Sequence, residues 1–89
     1  MKLSSEGRLS RPYRDAQRAL ADLKAAVVSL LESAGDEGLS NAEIGRSLGI
    51  YGGHKGHEGH ISRTLLAMLE SEGVTAQDAD KRWALKSQG

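Results

Sequence analysis

The chain has 89 residues, with Lys plus Arg and Asp plus Glu at 12 each, a formal charge of zero and no cysteine. That length allows one modest core and leaves little room for a deep catalytic cavity, so an enzyme is not expected. The missing thiols exclude disulfides and thiolate metal sites, and no apolar run approaches the ~18 residues of a membrane span. The opening Met1-Lys2-Leu3-Ser4-Ser5 lacks the apolar centre of a signal peptide, and a cytoplasmic protein is the expectation.

Zero net charge conceals an uneven distribution. Lys2, Arg8, Arg11, Arg14 and Arg18 crowd the amino terminus against Glu6 and Asp15. Arg46, Lys55 and Arg63, with His54, His57 and His60, face only Glu58 between them. Acidic groups gather elsewhere, at Glu32, Asp36 and Glu37 and again at Glu70, Glu72, Asp78 and Asp80.

Residues 1–11 read as a flexible basic arm, and 12–87 as the domain. Pro12 and Asp15 suit the first turn of a helix, where a missing N–H costs nothing and a carboxylate meets the positive end of the dipole. Tyr13, Ala16, Leu20, Leu23, Val27, Leu30 and Ala34 then recur every three or four residues, with Val28 and Leu31 on the flank. Gly35 closes this first helix, of about 22 residues or ~33 Å. Ser40 and Glu43 form an S-x-x-E capping box, so a second helix starts at Asn41. It carries Ala42, Ile44 and Leu48 and stops at Gly49, after which Ile50 folds back towards Ile44.

Tyr51 to Gly59 contains Gly52, Gly53, Gly56 and Gly59 and should be a loop, since each glycine within a helix costs roughly 1 kcal/mol relative to Ala. A third helix is expected from His60 to Glu72, burying Ile61, Leu65, Met68 and Leu69 and ending at Gly73. Val74–Gln77 and Arg82–Lys86 alternate as two strands around a turn at Asp78-Ala79-Asp80-Lys81, with Val74, Ala76, Trp83 and Leu85 inward.

The fold class is therefore mainly α with a small β-hairpin, and the order resembles that of winged helix-turn-helix domains. Gly38-Leu39-Ser40-Asn41-Ala42-Glu43-Ile44-Gly45 resembles the start of the first helix of the helix-turn-helix pair. Ile61-Ser62-Arg63-Thr64-Leu65-Leu66 and Leu69-Glu70-Ser71-Glu72-Gly73-Val74 resemble a recognition helix running into its wing. The likeness covers about residues 15 to 86. It departs from the family in the connection from Leu48 to Ile61, which is longer than the usual turn of a few residues.

The resemblance implies double-stranded DNA binding with the third helix in the major groove, its first residues nearest the bases. His60, Ser62, Arg63 and Thr64 would then face the duplex, Arg63 reaching guanine O6 and N7. Lys55, His54 and His57 in the glycine-rich loop, with Arg46 and Asn41 of the second helix, would meet the backbone. In the wing only Lys81 and Arg82 suit phosphate, because Asp78 and Asp80 repel it. No cofactor is expected. His54, His57 and His60 recur every third residue, and imidazole suits zinc. Helical metal pairs favour i, i+4, so a metal-responsive regulator is the lesser alternative. A winged-helix protein-interaction module is the other, favoured by the zero net charge. The near-heptad spacing of the first helix raises a homodimer through that helix.

Overall fold

A computed structural model describes the backbone of residues 2–53 and 55–86 and the side chains of 9–53 and 55–86. The elements are α1 (Lys2–Ala34), a 3-10 turn (Gly35–Glu37), α2 (Asn41–Ser47), α3 (His60–Ser71), β1 (Thr75–Gln77) and β2 (Trp83–Leu85). The described chain is mainly helical and closes with a two-stranded antiparallel hairpin, in which Thr75 faces Leu85, Ala76 faces Ala84 and Gln77 faces Trp83. No helix among the described residues is long and apolar enough to cross a membrane.

The short helices end as their sequences dictate. Ser40 Oγ accepts from the Glu43 N–H at 3.1 Å while Glu43 Oε1 accepts from the Ser40 N–H at 2.9 Å, so α2 opens on a complete capping box. At its far end the Gly49 N–H donates to Arg46 O and the Ile50 N–H to Gly45 O. The end of α3 repeats this pattern, Gly73 donating to Glu70 O and Val74 to Leu69 O. Both are Schellman stops, in which a left-handed residue returns the chain and seats the next apolar side chain on the core.

The core gathers one stripe from each element: Val27 and Leu31 of α1, Ile44 of α2, Leu65, Leu66 and Leu69 of α3, and Trp83 of β2. Trp83 also exchanges two backbone bonds with Leu39, at 2.9 and 2.7 Å, tying the hairpin to the segment before α2.

Two sequence expectations change here. The first turn of α1 does not fall at Pro12, for the helix spans 33 residues, or ~50 Å, with Pro12 inside it, and so includes the stretch read as an arm. Proline forfeits one backbone bond, but its fixed φ near about −65° is a helical value. On β1, Thr75 rather than Ala76 turns inward: Thr75 is buried and Ala76 exposed. The Thr75 hydroxyl donates to Leu66 O at 3.2 Å, so its polar atom is satisfied within the core.

Candidate nucleic-acid interface

Gly59 sets where α3 begins. Its φ of +83° is left-handed, a conformation only glycine adopts without strain, and it precedes the first helical residue. Its N–H donates to Gly52 O at 3.0 Å, closing the loop. Its carbonyl collects the Arg63 N–H at 3.0 Å, the Ser62 hydroxyl at 3.3 Å and the Asn41 side-chain amide at 3.2 Å. The loop closure and the first turn of α3 are thereby fixed to the first turn of α2.

This arrangement rotates α3 from the expected orientation by roughly 60° about its axis. The buried face is Ser62, Leu65, Leu66 and Leu69, whereas Ile61 is 50% exposed and Met68 half-buried. Ser62 is thus a correction to the list of outward contacts: its side chain is fully buried and its hydroxyl is spent on Gly59 O. Asn41 is a second correction, because it is half-buried and committed to the same carbonyl.

The remaining outward residues form a coherent surface. His60, Arg63, Thr64 and Ala67 are all exposed on α3. Arg63 Nη2 lies 3.5 Å from Glu58 O, a long contact that leaves most of the guanidinium open to solvent. The rings of His57 and His60 stack at 5.9 Å with planes 10° apart, which brings the exposed loop back over the helix start. Glu58 is turned to the loop backbone, accepting from the Gly56 N–H at 3.1 and 3.2 Å. Lys55 is exposed in the same loop, and the first turn of α3 contains no acidic residue. The N–H groups of that turn therefore meet no local carboxylate, and their positive potential points outward.

Arg46 is exposed on α2, with its guanidinium carbon 4.6 Å above the ring of Tyr51. Tyr51 was not among the residues singled out from sequence. Its ring packs where a side chain on Gly45 would stand, 2.9 Å from Tyr51 Cδ1, so the buried glycine inside α2 makes room for it. An aromatic residue entering a glycine-rich loop was the available signal.

The hairpin contributes less than its sequence suggested. Lys81 is exposed at the turn with φ +64°. Arg82 is corrected as a contact residue, because it points back into the molecule. Its Nε donates to Glu37 O at 2.9 Å and its Nη2 to Gly38 O at 2.8 Å, with Glu43 Oε1 3.4 Å away. Glu43, bonded by the Ser40 N–H and faced by Arg82, has its carboxyl held below the ordinary glutamate value.

His54 lies outside the described residues. Among the described residues no group of three His, Asp or Glu is placed to hold a metal. No protein-family model, curated protein or solved structure matches this chain.

Proposed function

We propose that the chain is a winged-helix domain that binds double-stranded DNA, with the outward face of α3 in the major groove. It would serve as a small transcriptional regulator or as the DNA-targeting part of a larger system. The observation carrying this reading is the exposed amino-terminal face of α3. Arg63, Thr64 and His60 stand outward on a rigid helix whose first turn lacks acid, beside the exposed Lys55 and His57. Side chains there reach base edges, while loop cations and helix-terminal N–H groups suit phosphate. The neutral overall charge does not oppose this at the amino-terminal turn of α3, which is free of acid: Glu70 lies two turns beyond Arg63, and Asp78 and Asp80 belong to the hairpin turn.

The test is a titration of the intact chain with a labelled random duplex across a salt series. Binding that weakens with salt at a log–log slope of about −3, from a few neutralised phosphates, agrees with the reading. No binding at low salt, or a salt-independent affinity, overturns it. The second reading, a winged-helix protein-interaction module, is favoured by Ile61, a large apolar residue half exposed on α3. Two copies paired through α1 would bring two α3 helices to one duplex.

A further inference from the structure

From Leu9 to Ala19 every residue of α1 is exposed, including Leu9 at 67% and Tyr13 at 66%. The body of the protein packs only on the carboxyl-terminal part of that helix, where Leu20 and Leu23 are half-buried and Val27 and Leu31 fully so. The radius of gyration of 15.7 Å, against about 12 Å for a compact domain of this length, reflects the projection. A helical stretch this short is marginal in water without a packed face, and Pro12 inside it removes a further backbone bond.

The projecting half carries a seam. Leu9, Tyr13, Ala16, Leu20, Leu23, Val27, Leu30 and Ala34 follow an unbroken four–three alternation, which is the heptad spacing of paired helices. Along the projecting half the seam-flanking positions are uncharged (Ser10, Pro12, Gln17, Ala19), and Lys24 further on is paired with Glu72 of its own chain, whereas Arg11, Arg14, Asp15, Arg18 and Asp22 lie on the far side. A partner with charged flanks would find no complement here. An identical uncharged flank meets no repulsion. The seam also runs directly into a groove of about 260 Å³ between α1 and α3, lined by Leu20, Leu23, Ile61 and Leu65 and also by His60 and Thr64. A second copy seated there leaves Arg63 as the open residue of the α3 face.

We propose that the occupant of this seam is a second copy of the chain, paired antiparallel through α1. Direction follows from what already covers the helix. In a parallel pair both bodies would stand at the same end and on the same face, at Val27 and Leu31, and would collide. Antiparallel pairing sends them to opposite ends. With the two-fold axis between Arg14 and Asp15, Leu9 of each copy lies opposite Leu20 of the other, beside Ile61, and Tyr13 opposite Ala16. The covered area is at the small end of specific interfaces, below about 1,200 Å², so association depends on concentration in the micromolar range.

The absence of cysteine makes the contact directly testable. Sedimentation velocity of the intact chain from about 5 to about 500 µM should show a monomer–dimer equilibrium, a range suited to a small interface. Oxidation of the double variant Leu9→Cys/Leu20→Cys should give a covalent dimer, whereas either single variant should not, because like residues lie ~16 Å apart along the axis. Leu9→Glu, at an exposed position outside the core, should leave the monomer folded and raise the dissociation constant about a hundredfold, the change entering the pair twice. A monomer throughout, a dimer indifferent to Leu9→Glu, or cross-linking of Leu9→Cys alone would each overturn the proposal. None of these outcomes depends on DNA.

Discussion

The side-chain amide of Asn41 donates to the carbonyl of Gly59 at 3.2 Å, joining the first residue of α2 to the residue that precedes α3. The link replaces a tight turn. The segment between the two helices is long and glycine-rich, and closing it costs entropy that a short turn would not. The Gly59 carbonyl offsets that cost by collecting donors from both helices, so the direction of α3 is set at one point.

Gly59 should therefore be hard to replace, as should Gly53, whose φ is +122° and where an added methyl group would lie 2.7 Å from the His57 carbonyl oxygen. A methyl group added at Gly59 would lie 2.6 Å from Asn41 Nδ2 and 3.0 Å from Tyr51 Cε1, and the φ of +83° would be strained besides. Gly59→Ala is expected to lower unfolding free energy by about 2–3 kcal/mol. Gly56 has φ +86° with open space around it, so Gly56→Ala should cost only about 1 kcal/mol. Urea denaturation of both variants measures the difference, and equal losses would remove the special role of the Gly59 contacts.

The capping box gives a pH signature. Glu43 accepts from the Ser40 N–H in the folded chain, which together with Arg82 holds its carboxyl below the ordinary value. A depressed folded value means stability that is present above the unfolded pKa and lost as pH falls through the folded one. Melting temperature should accordingly drop on acidification from about pH 5 to about pH 3, and less steeply in Glu43→Gln, whose amide oxygen keeps the bond without the charge. Ser40→Ala should cost about 1 kcal/mol at neutral pH. Parallel melting curves for wild type and Glu43→Gln over that range would contradict the assignment.

These caps were legible because capping chemistry is local: Ser40, Glu43, Gly49 and Gly73 announce the ends of α2 and α3 without reference to the rest of the chain. The face that α3 buries was not legible. Ile61, Leu65, Leu66, Met68 and Leu69 span roughly 160° of the helix circumference, wider than the ~100° stripe a core needs, so periodicity leaves more than one orientation open. The choice was made by Ser62, whose hydroxyl finds Gly59 O and can be buried satisfied, leaving Ile61 outside. Thr75 misled in the same manner, as a polar residue whose partner, Leu66 O, is nine residues away in sequence. The inward role of Arg82 carried no sequence signal, because its partners Glu37 and Gly38 stand some 45 residues earlier in the chain.

Arg82 and Lys81 are neighbours with different expected phenotypes. Arg82 joins the hairpin to two carbonyls before α2, with its side chain 37% exposed, so solvent screening discounts its ion pair with Glu43. Arg82→Ala should lower stability by about 1–2 kcal/mol, chiefly through the lost carbonyl bonds. Lys81→Ala should leave stability within about 0.5 kcal/mol. Neither assignment requires a ligand. Thermal melts of the two variants suffice, and a stable Arg82→Ala protein would show that the clamp contributes nothing.

On the proposed DNA-binding reading, the last pair of variants separates two kinds of contact on the α3 face. Arg63 is exposed on α3 itself, where a guanidinium can address a guanine edge through paired donors. Lys55 is exposed in the loop, where a point charge suits phosphate and carries no sequence information. On duplexes of defined sequence, Arg63→Ala should weaken the preferred site by about 1–3 kcal/mol and narrow the gap between preferred and random duplex. Arg63→Lys should keep the charge yet lose most of that discrimination, because an ammonium cannot make the paired contact. Lys55→Ala should weaken all duplexes alike and reduce the salt slope by about one. Competition titrations at two salt concentrations read all three quantities. If Arg63→Ala bound as the wild type does, or if Lys55→Ala altered preference rather than slope, the α3 face would not be the proposed duplex-reading surface.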